Sequence, residues 1–168
     1  MQIVAPNAIG ILHLEQNILY TAKAFTLEWV GERQIRMFET AFTIEWGDCD
    51  EAGIVFYPNY FYWFDSTYQR WLRTRGLSQR ELRSRFGSVT PLVNVGARFM
   101  GPASYDDELQ VRAQIEEWGE RRFRVDYTLA VNGTTVATGF EERAWAIRSE
   151  NGALRGAAIP SEFKELMK

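Results

Sequence analysis

The sequence predicts an α+β domain in which a curved antiparallel sheet wraps around one long central helix. An aromatic-rich segment with helical spacing occupies about residues 58–75. Four long runs with strand character follow it, at about 89–100, 107–118, 121–131 and 134–148. Strands of this length twist and curl, and a helix that is apolar on more than one side needs more than one surface to cover it.

The composition is that of one globular domain. The chain has 168 residues, of which 46% are hydrophobic and 24% charged, and this balance excludes a disordered or fibrous protein. The net charge of −3 provides no global positive field, so we expect no nucleic-acid partner. There is no run of 18 apolar residues and no signal-peptide pattern, so we expect no membrane partner and predict a cytoplasmic location.

One histidine, His13, and one cysteine, Cys49, limit the available chemistry. They disfavour a Ser-His-Asp triad, a Cys-His pair and a His-rich metal site, and a lone cysteine forms no intramolecular disulfide. We therefore expect neither a metal nor a cofactor. If the protein is an enzyme, carboxylates, backbone N–H groups and hydroxyls must carry the chemistry.

Residues 1–36 differ from the rest of the chain. Short apolar patches alternate there with polar residues without a sustained period, and regular patterning begins at Met37. We predict an N-terminal extension over 1–36 and a domain over 37–168. The extension is either an appendage that packs on the domain or sequence that precedes a natural start at Met37.

The regular pattern opens with a predicted strand and a turn-rich loop. The strand contains Phe38, Ala41, Phe42, Ile44 and Trp46, and the loop covers about 47–57. The long helix is predicted from Pro58 to Arg75, because proline suits the first helical position and Gly76 suits the position after the end. Its main apolar face holds Tyr60, Phe61, Phe64, Tyr68, Trp71 and Leu72, whereas Tyr62 and Trp63 fall elsewhere and Asp65 borders the face.

The remaining elements have clear local signals. Ser78 followed by Glu81 is a capping box and predicts a short helix over 79–86. Asn132-Gly133 predicts a hairpin between the last two long strands, and Asn151-Gly152 predicts another turn. A short helix over 160–167 is predicted to end the domain.

The loop before the helix carries three carboxylates in four residues, namely Asp48, Asp50 and Glu51. One interpretation is a solvated acidic loop whose residues serve turns, and a calcium loop is disfavoured because its oxygen ligands are not all present. The other interpretation is catalytic. The N terminus of a buried helix offers unpaired backbone N–H groups that can hold a developing oxyanion, and a nearby Asp can attack a carbonyl or activate water.

Because Pro58 has no N–H group, the N–H donors in this interpretation would come from Tyr57, Asn59 or Tyr60. A site of this kind hydrolyses an acyl carbonyl without histidine or metal.

The stretch GDCDEAGIVFYPNY, residues 47–60, resembles the 4-hydroxybenzoyl-CoA thioesterase family of hot-dog proteins. The resemblance continues through Trp63 and Asp65, Thr90-Pro91, residues 103–107 and Glu117-Trp118, and it covers about 37–165. It implies a hot-dog fold and the hydrolysis of an acyl-CoA thioester. The small core and the extra aromatic face of the helix predict a homo-oligomer, either a dimer or a dimer of dimers, and the resemblance implies that its sites are shared between subunits.

The resemblance also implies roles for individual residues. Asp50 matches the catalytic carboxylate, as nucleophile or general base, and Tyr57 matches the residue whose backbone N–H polarises the thioester carbonyl. The expected substrate-binding residues are Asp65, Tyr60, Phe61 and Thr90. Asp65 would accept a hydrogen bond from a ring hydroxyl, or else it is an exposed or interface residue of the helix.

The CoA phosphates require basic groups, and the candidates are Arg98, Arg121 and Arg122. Gly119 and Glu120 interrupt the family's basic cluster here, so a solvated strand face is the alternative for these arginines.

The predicted function is therefore hydrolysis of an aromatic acyl-CoA, with acyl-CoA as the partner. The alternatives are a thioesterase for short or branched acyl groups on CoA or acyl carrier protein, and a non-catalytic acyl-CoA-binding module. A hydratase or dehydratase is disfavoured, because residues 37–168 contain no histidine.

Overall fold

The computed structural model describes residues 27–30 and 33–168, with side chains from Met37 onward. The strands are β1 (Leu27–Val30), β2 (Arg33–Arg36), β3 (Phe38–Thr43), β4 (Ser88–Val89), β5 (Leu92–Phe99), β6 (Glu108–Trp118), β7 (Arg122–Val131), β8 (Thr134–Ala144), β9 (Ala146–Arg148) and β10 (Leu154–Gly156). The helices are α1 (Pro58–Thr74), α2 (Gln79–Phe86) and α3 (Ser161–Met167).

The main sheet has five antiparallel strands in the order β3-β6-β7-β8-β5. Inward residues alternate with outward ones, as the two-residue repeat of a strand requires. On β6 and β7 the buried positions are Leu109, Val111, Ala113, Phe123, Val125, Tyr127 and Leu129. The inner face of the sheet thus forms one wall of the core, and α1 supplies the other.

Helix α1 packs on the inner face through its aromatic side chains. Phe64 stacks on Tyr127 of β7 at 4.6 Å between ring centroids, and Trp71 stacks on Phe38 of β3 at 6.1 Å. Gly139 lets the helix approach β8, since a Cβ built there would lie 2.3 Å from Phe64 Cζ and 2.8 Å from the carbonyl oxygen of Gly96. The predicted fold, a curved antiparallel sheet with a long helix in the hot-dog arrangement, is confirmed.

Two details of the first strand and of α1 differ from the prediction. Trp46 leaves the strand, which ends at Thr43, and lies 78% exposed in a 3-10 turn over Trp46–Asp48. Trp63 is buried rather than outside the apolar face, because Phe42 and Tyr60 cover its ring. The buried arc of α1 is therefore wider than its main apolar face, in keeping with the prediction that the helix is apolar on more than one side, whereas Tyr62 is exposed.

The other predicted elements are largely confirmed. Helix α2 occupies 79–86, and the hydroxyl of Ser78 accepts the Glu81 N–H. Asn132 and Gly133 both have positive φ, which a tight two-residue hairpin requires. The run predicted as one strand over 134–148 is divided, because β8 ends at Ala144 and β9 pairs with β4 and β10 in a separate sheet. The run at 89–100 is likewise split into β4 and β5.

The N-terminal region contains two strands, β1 and β2, that pair antiparallel and that were not predicted from the sequence. The rest of the predicted extension, including His13, lies outside the described residues. No helix in the described part of the chain is both long and apolar enough to cross a bilayer.

The close contact at Gly139 predicts a large effect of a single methyl group. Gly139→Ala should lower the free energy of unfolding by about 1–3 kcal/mol, because Phe64 or the backbone of β5 must move. Chemical denaturation followed by tryptophan fluorescence measures this. The control is Gly101→Ala, whose Cβ would make only ordinary contacts with Val136. Equal stabilities of the two variants would contradict the predicted role of Gly139.

Candidate active site

The acidic loop folds back on the start of α1 through one backbone carbonyl. The Asp48 carbonyl oxygen accepts the Phe56 N–H at 2.8 Å and the Asn59 Nδ2 group at 2.9 Å. The Asp48 carboxylate accepts the Glu45 N–H at 2.9 Å and thus holds the preceding turn. Asp48 therefore orders the loop, and Cys49 is half-buried against the core.

Asp50 lies in a tight turn next to this junction. Its N–H donates to the Ile54 carbonyl at 2.9 Å, its carbonyl accepts the Gly53 N–H at 2.9 Å, and Gly53 has a φ of +76° that favours glycine. The Oδ1 atom of Asp50 accepts the Ala52 N–H at 2.8 Å, whereas Oδ2 has no partner among the described residues. The turn thus fixes an exposed carboxylate with one oxygen free.

The start of α1 has one unused backbone donor. The Asn59 N–H donates to the Phe56 carbonyl at 3.0 Å, and the Tyr60 N–H donates to the Tyr57 carbonyl at 3.2 Å. Pro58 has no N–H group, and the Tyr57 N–H meets no acceptor in the described part of the chain. Of the three donors that the sequence left open, the structure leaves Tyr57 available.

The surroundings of this helix end are apolar and partly open. Tyr60 is buried, contacts Phe99 at 5.0 Å between ring centroids, and has a hydroxyl whose pKa burial raises. Phe61 is half-buried and packs edge-on against Phe64. Several large apolar side chains here remain exposed, namely Ile54, Phe56, Tyr57, Phe99 and Met100. This exposed apolar surface adjoins the carboxylate and the free N–H.

Asp65, about 10 Å along the helix axis from Pro58, is held by an ion pair. Its Oδ1 atom lies 2.6 Å from Nη2 of Arg143 and accepts Nε2 of Gln69 at 3.2 Å. The Asp65 side chain is 51% exposed, whereas that of Arg143 is 4% exposed. Asp65 is thus an exposed residue tied to a buried cation.

Arg143 belongs to a buried polar cluster on the inner face of the sheet. Glu141 Oε2 accepts Arg143 Nη2 at 2.8 Å and the Tyr127 hydroxyl at 2.7 Å, and Arg143 Nη1 donates to the Thr90 carbonyl at 3.2 Å. The Tyr68 hydroxyl donates to the Thr90 hydroxyl at 3.1 Å. Thr90, predicted to bind substrate, is itself buried in this cluster.

Burial dominates the electrostatics of the cluster. It raises the pKa of the Glu141 carboxyl, and Arg143 opposes that shift by favouring the charged form. Burial also raises the pKa of the Tyr127 hydroxyl, and the negative charge of Glu141 raises it further. Burial disfavours the charge on Arg143, but Glu141, Tyr68 and Tyr127 together outweigh this effect, and the pKa of Arg143 lies above its ordinary value.

Sequence reasoning missed Glu141 and Arg143. Both occupy inward positions of β8, in register with the buried Ala137, and charged residues at inward positions of a strand must be paired. That signal is present in the alternation of residues 137–145.

The three arginines predicted to contact CoA do not come together within one chain. Arg98 is opposite Thr138 on β8, and Arg122 is opposite Ala144, so about 20 Å of strand separates the two positions. Arg98 lies near the end of the sheet that holds the acidic loop, and Arg121 and Arg122 lie at the other end. Strand β10, which carries the exposed Arg155, lies beside Arg121.

The site offers a carboxylate, a backbone N–H donor at a helix start and an apolar surface. Among the described residues, no group of three or more His, Cys, Asp or Glu side chains is arranged to hold a metal ion. The arrangement can attack or hydrate an acyl carbonyl while the helix end stabilises the negative charge on its oxygen. These are the elements of a hot-dog thioesterase site.

Comparison with known proteins identifies the family. Residues 44–167 match the thioesterase-like superfamily, and the chain belongs to it. Over 132 residues the chain is 36% identical to 4-hydroxybenzoyl-CoA thioesterase of Pseudomonas sp. strain CBS-3, covering 73% of this chain and 92% of that protein. The solved structure of that thioesterase superposes with a TM-score of 0.72 at 33% identity, covering 78% of this chain and 99% of the other.

A second relative is 1,4-dihydroxy-2-naphthoyl-CoA hydrolase of Synechococcus elongatus. It is 33% identical over 96 residues, which cover 56% of this chain and 71% of that protein. The family assignment made from residues 47–60 is thereby confirmed.

The buried cluster predicts a cost for removing one hydroxyl. Tyr127→Phe leaves Glu141 without one of its donors, so the free energy of unfolding should fall by about 1–3 kcal/mol. Chemical denaturation measures the change. The matched control is Tyr105→Phe, because Tyr105 is 51% exposed and water replaces its hydroxyl contacts. A Tyr127→Phe variant as stable as the control would show that Glu141 does not depend on this bond.

Proposed function

We propose that the protein hydrolyses the thioester of a hydroxylated aromatic acyl-CoA to the free acid and CoA. The observation that carries this proposal is that the loop leading into α1 holds both a carboxylate with a free oxygen, on Asp50, and an unused backbone donor, the Tyr57 N–H. Both lie beside an exposed apolar surface that suits a flat acyl group. Two relatives named for hydroxylated aryl-CoA substrates support the choice of acyl class.

In the proposed mechanism, the Tyr57 N–H donates to the thioester carbonyl oxygen, and the positive end of the α1 dipole stabilises the charge that develops there. Asp50 acts in one of two ways. It bonds to the carbonyl carbon as the C–S bond breaks and CoA leaves as a thiolate, and water then hydrolyses the acyl anhydride. Alternatively, it takes a proton from water, whose oxygen bonds to the carbonyl carbon; the C–S bond then breaks and CoA leaves as a thiolate.

Asp65 is the proposed partner of the ring hydroxyl. Its side chain pairs with Arg143 at 2.6 Å, and a carboxylate accepts hydrogen bonds and cannot donate them. Tyr60 and Phe61 provide aromatic surface near the start of α1, and Thr90 anchors the cluster that holds Asp65. Arg98, Arg121 and Arg122 are the proposed contacts of the CoA phosphates.

A homodimer formed through β5 would bring Arg98 of one protomer closer to the end of the partner's sheet at which Arg121 and Arg122 lie. Strand β5 is an edge of the main sheet, and four of its side chains are large, apolar and exposed, namely Leu92, Val93, Val95 and Phe99. An exposed apolar edge favours pairing with another strand. Antiparallel self-pairing of β5 would place the Thr90 end of one protomer beside the Phe99 end of its partner, so that two shared sites result. A dimer of dimers and a cytoplasmic location remain predictions from the sequence.

The first test of the function is Asp50→Asn, which retains the size of the side chain but removes its charge. We expect kcat for 4-hydroxybenzoyl-CoA to fall about 10²–10⁴-fold, because the general base or nucleophile is lost. Thiol release from benzoyl-, 4-hydroxybenzoyl-, phenylacetyl- and short aliphatic CoA esters measures activity, and calorimetric titration measures binding.

The matched control for this test is Glu51→Gln, which removes the adjacent exposed carboxylate of the same turn and should retain the parent's kcat. Preferential cleavage of short aliphatic esters, or of acyl carrier protein esters, would show that the substrate is not an aromatic acyl-CoA. Binding of CoA esters by the parent protein without any thiol release would indicate a binding module.

The proposed dimer predicts sensitivity to charge on β5. Val93→Lys should raise the dissociation constant of the dimer at least about tenfold, because a lysine on each protomer would bring a positive charge into the apolar paired edges. Sedimentation velocity across a range of micromolar concentrations measures this. Leu154→Lys, at an equally exposed position of β10, is the control. If both variants keep the parent's oligomeric state, β5 is not the interface.

A further inference from the structure

We propose, on the basis of the function proposed above, that Arg143 is a positioning residue for recognition of the ring hydroxyl. Arg143 binds one carboxylate oxygen of Asp65, and the other oxygen remains available to the hydroxyl of the acyl group. The site would therefore prefer a hydroxylated aryl thioester to the thioester of the same ring without the hydroxyl.

Arg143 is fixed in direction before it reaches Asp65. Its Nε and Nη2 groups donate to Glu141 Oε2 at 3.0 and 2.8 Å, and its Nη1 group donates to the Thr90 carbonyl at 3.2 Å. The guanidinium carbon lies 4.2 Å from the ring centroid of Tyr68. A planar guanidinium with these contacts has little remaining freedom, so the position of Nη2 is set by the sheet and not by solvent.

Only one of the two Asp65 carboxylate oxygens contacts the described part of the protein. Oδ1 accepts both Arg143 Nη2 and Gln69 Nε2, whereas Oδ2 accepts nothing from the described residues. The side chain is half exposed, so Oδ2 can accept a hydrogen bond from a phenolic O–H. An unsubstituted ring offers no donor and would leave the carboxylate oxygen without its partner.

This arrangement of the two oxygens has a consequence for specificity. A site built to bind a hydroxyl disfavours the analogue that lacks it, because a polar group of the site is then unpaired. The size of this preference depends on how firmly Asp65 is held, because a mobile carboxylate can rotate and accept hydrogen bonds from water instead. Weakening the contacts between Arg143 and Asp65 should therefore reduce discrimination between the two rings without removing the chemistry at Asp50.

The test is Arg143→Lys, which keeps a positive charge beside Glu141 but cannot reach Glu141, Thr90 and Asp65 together. We measure kcat and KM for 4-hydroxybenzoyl-CoA and benzoyl-CoA. The ratio of the two kcat/KM values should fall about tenfold, mainly through a higher KM for the hydroxylated ester. The control is Arg124→Lys, since Arg124 pairs with Asp126 on the other face of the sheet. This control should retain the ratio of the parent.

A double-mutant cycle separates positioning from general support of the fold. Asp65→Asn should lower the same ratio, and adding Arg143→Lys to Asp65→Asn should change it no further if Arg143 acts through Asp65. An unchanged ratio in Arg143→Lys, or an equal loss for both esters, would overturn the inference. If Arg143→Lys does not fold, Glu141→Gln is the second variant, and it too must lower the ratio.

The parent protein distinguishes the two proposals. A parent that cleaves neither ester contradicts the proposed function and, with it, this inference. A parent that cleaves both esters equally well contradicts only the inference, because Asp65 then recognises no hydroxyl.

Discussion

The burial of α1 against the inner face of the sheet is the constraint on which the rest of the molecule depends. An aromatic helix of 17 residues can be covered only if the sheet curls around it and leaves room for its rings. Gly139 provides that room below Phe64, and the long strands β6, β7 and β8 provide the curvature. Because the helix is fixed along its length, its first turn has a fixed position at one end of the sheet.

The fixed first turn of α1 holds the acidic loop in place and so positions the groups of the proposed active site. The loop closes on the Asp48 carbonyl, and Asn59 of the first turn helps to hold it there. The Asp50 carboxylate and the Tyr57 N–H then belong to one rigid junction between loop and helix. Farther along the same helix, Asp65 is tied to the sheet through Arg143. One buried helix thus positions both the reacting end and the recognition end of the proposed site.

Much of this arrangement could be predicted from local signals. The capping serine of α2, the Asn132-Gly133 hairpin and the start of α1 at Pro58 depend on neighbours in the sequence, and all three are confirmed. The exposure of Trp46 and the burial of Trp63 could not be predicted in this way, because each depends on which distant strand covers the position. The cluster of Glu141 and Arg143 depends on the face of β8 that turns inward. The placement of the arginines depends on strand register, which a single sequence does not show.

The unused N–H of Tyr57 has a consequence for how such a site can diversify. A backbone donor is supplied by every amino acid except proline, so substitutions at this position leave the donor in place. The Tyr57 side chain, which is 58% exposed, is therefore uncoupled from the chemistry of its own backbone. In evolutionary terms, the position can change its side chain to suit a new acyl group while the backbone donor proposed to bind the carbonyl oxygen is kept.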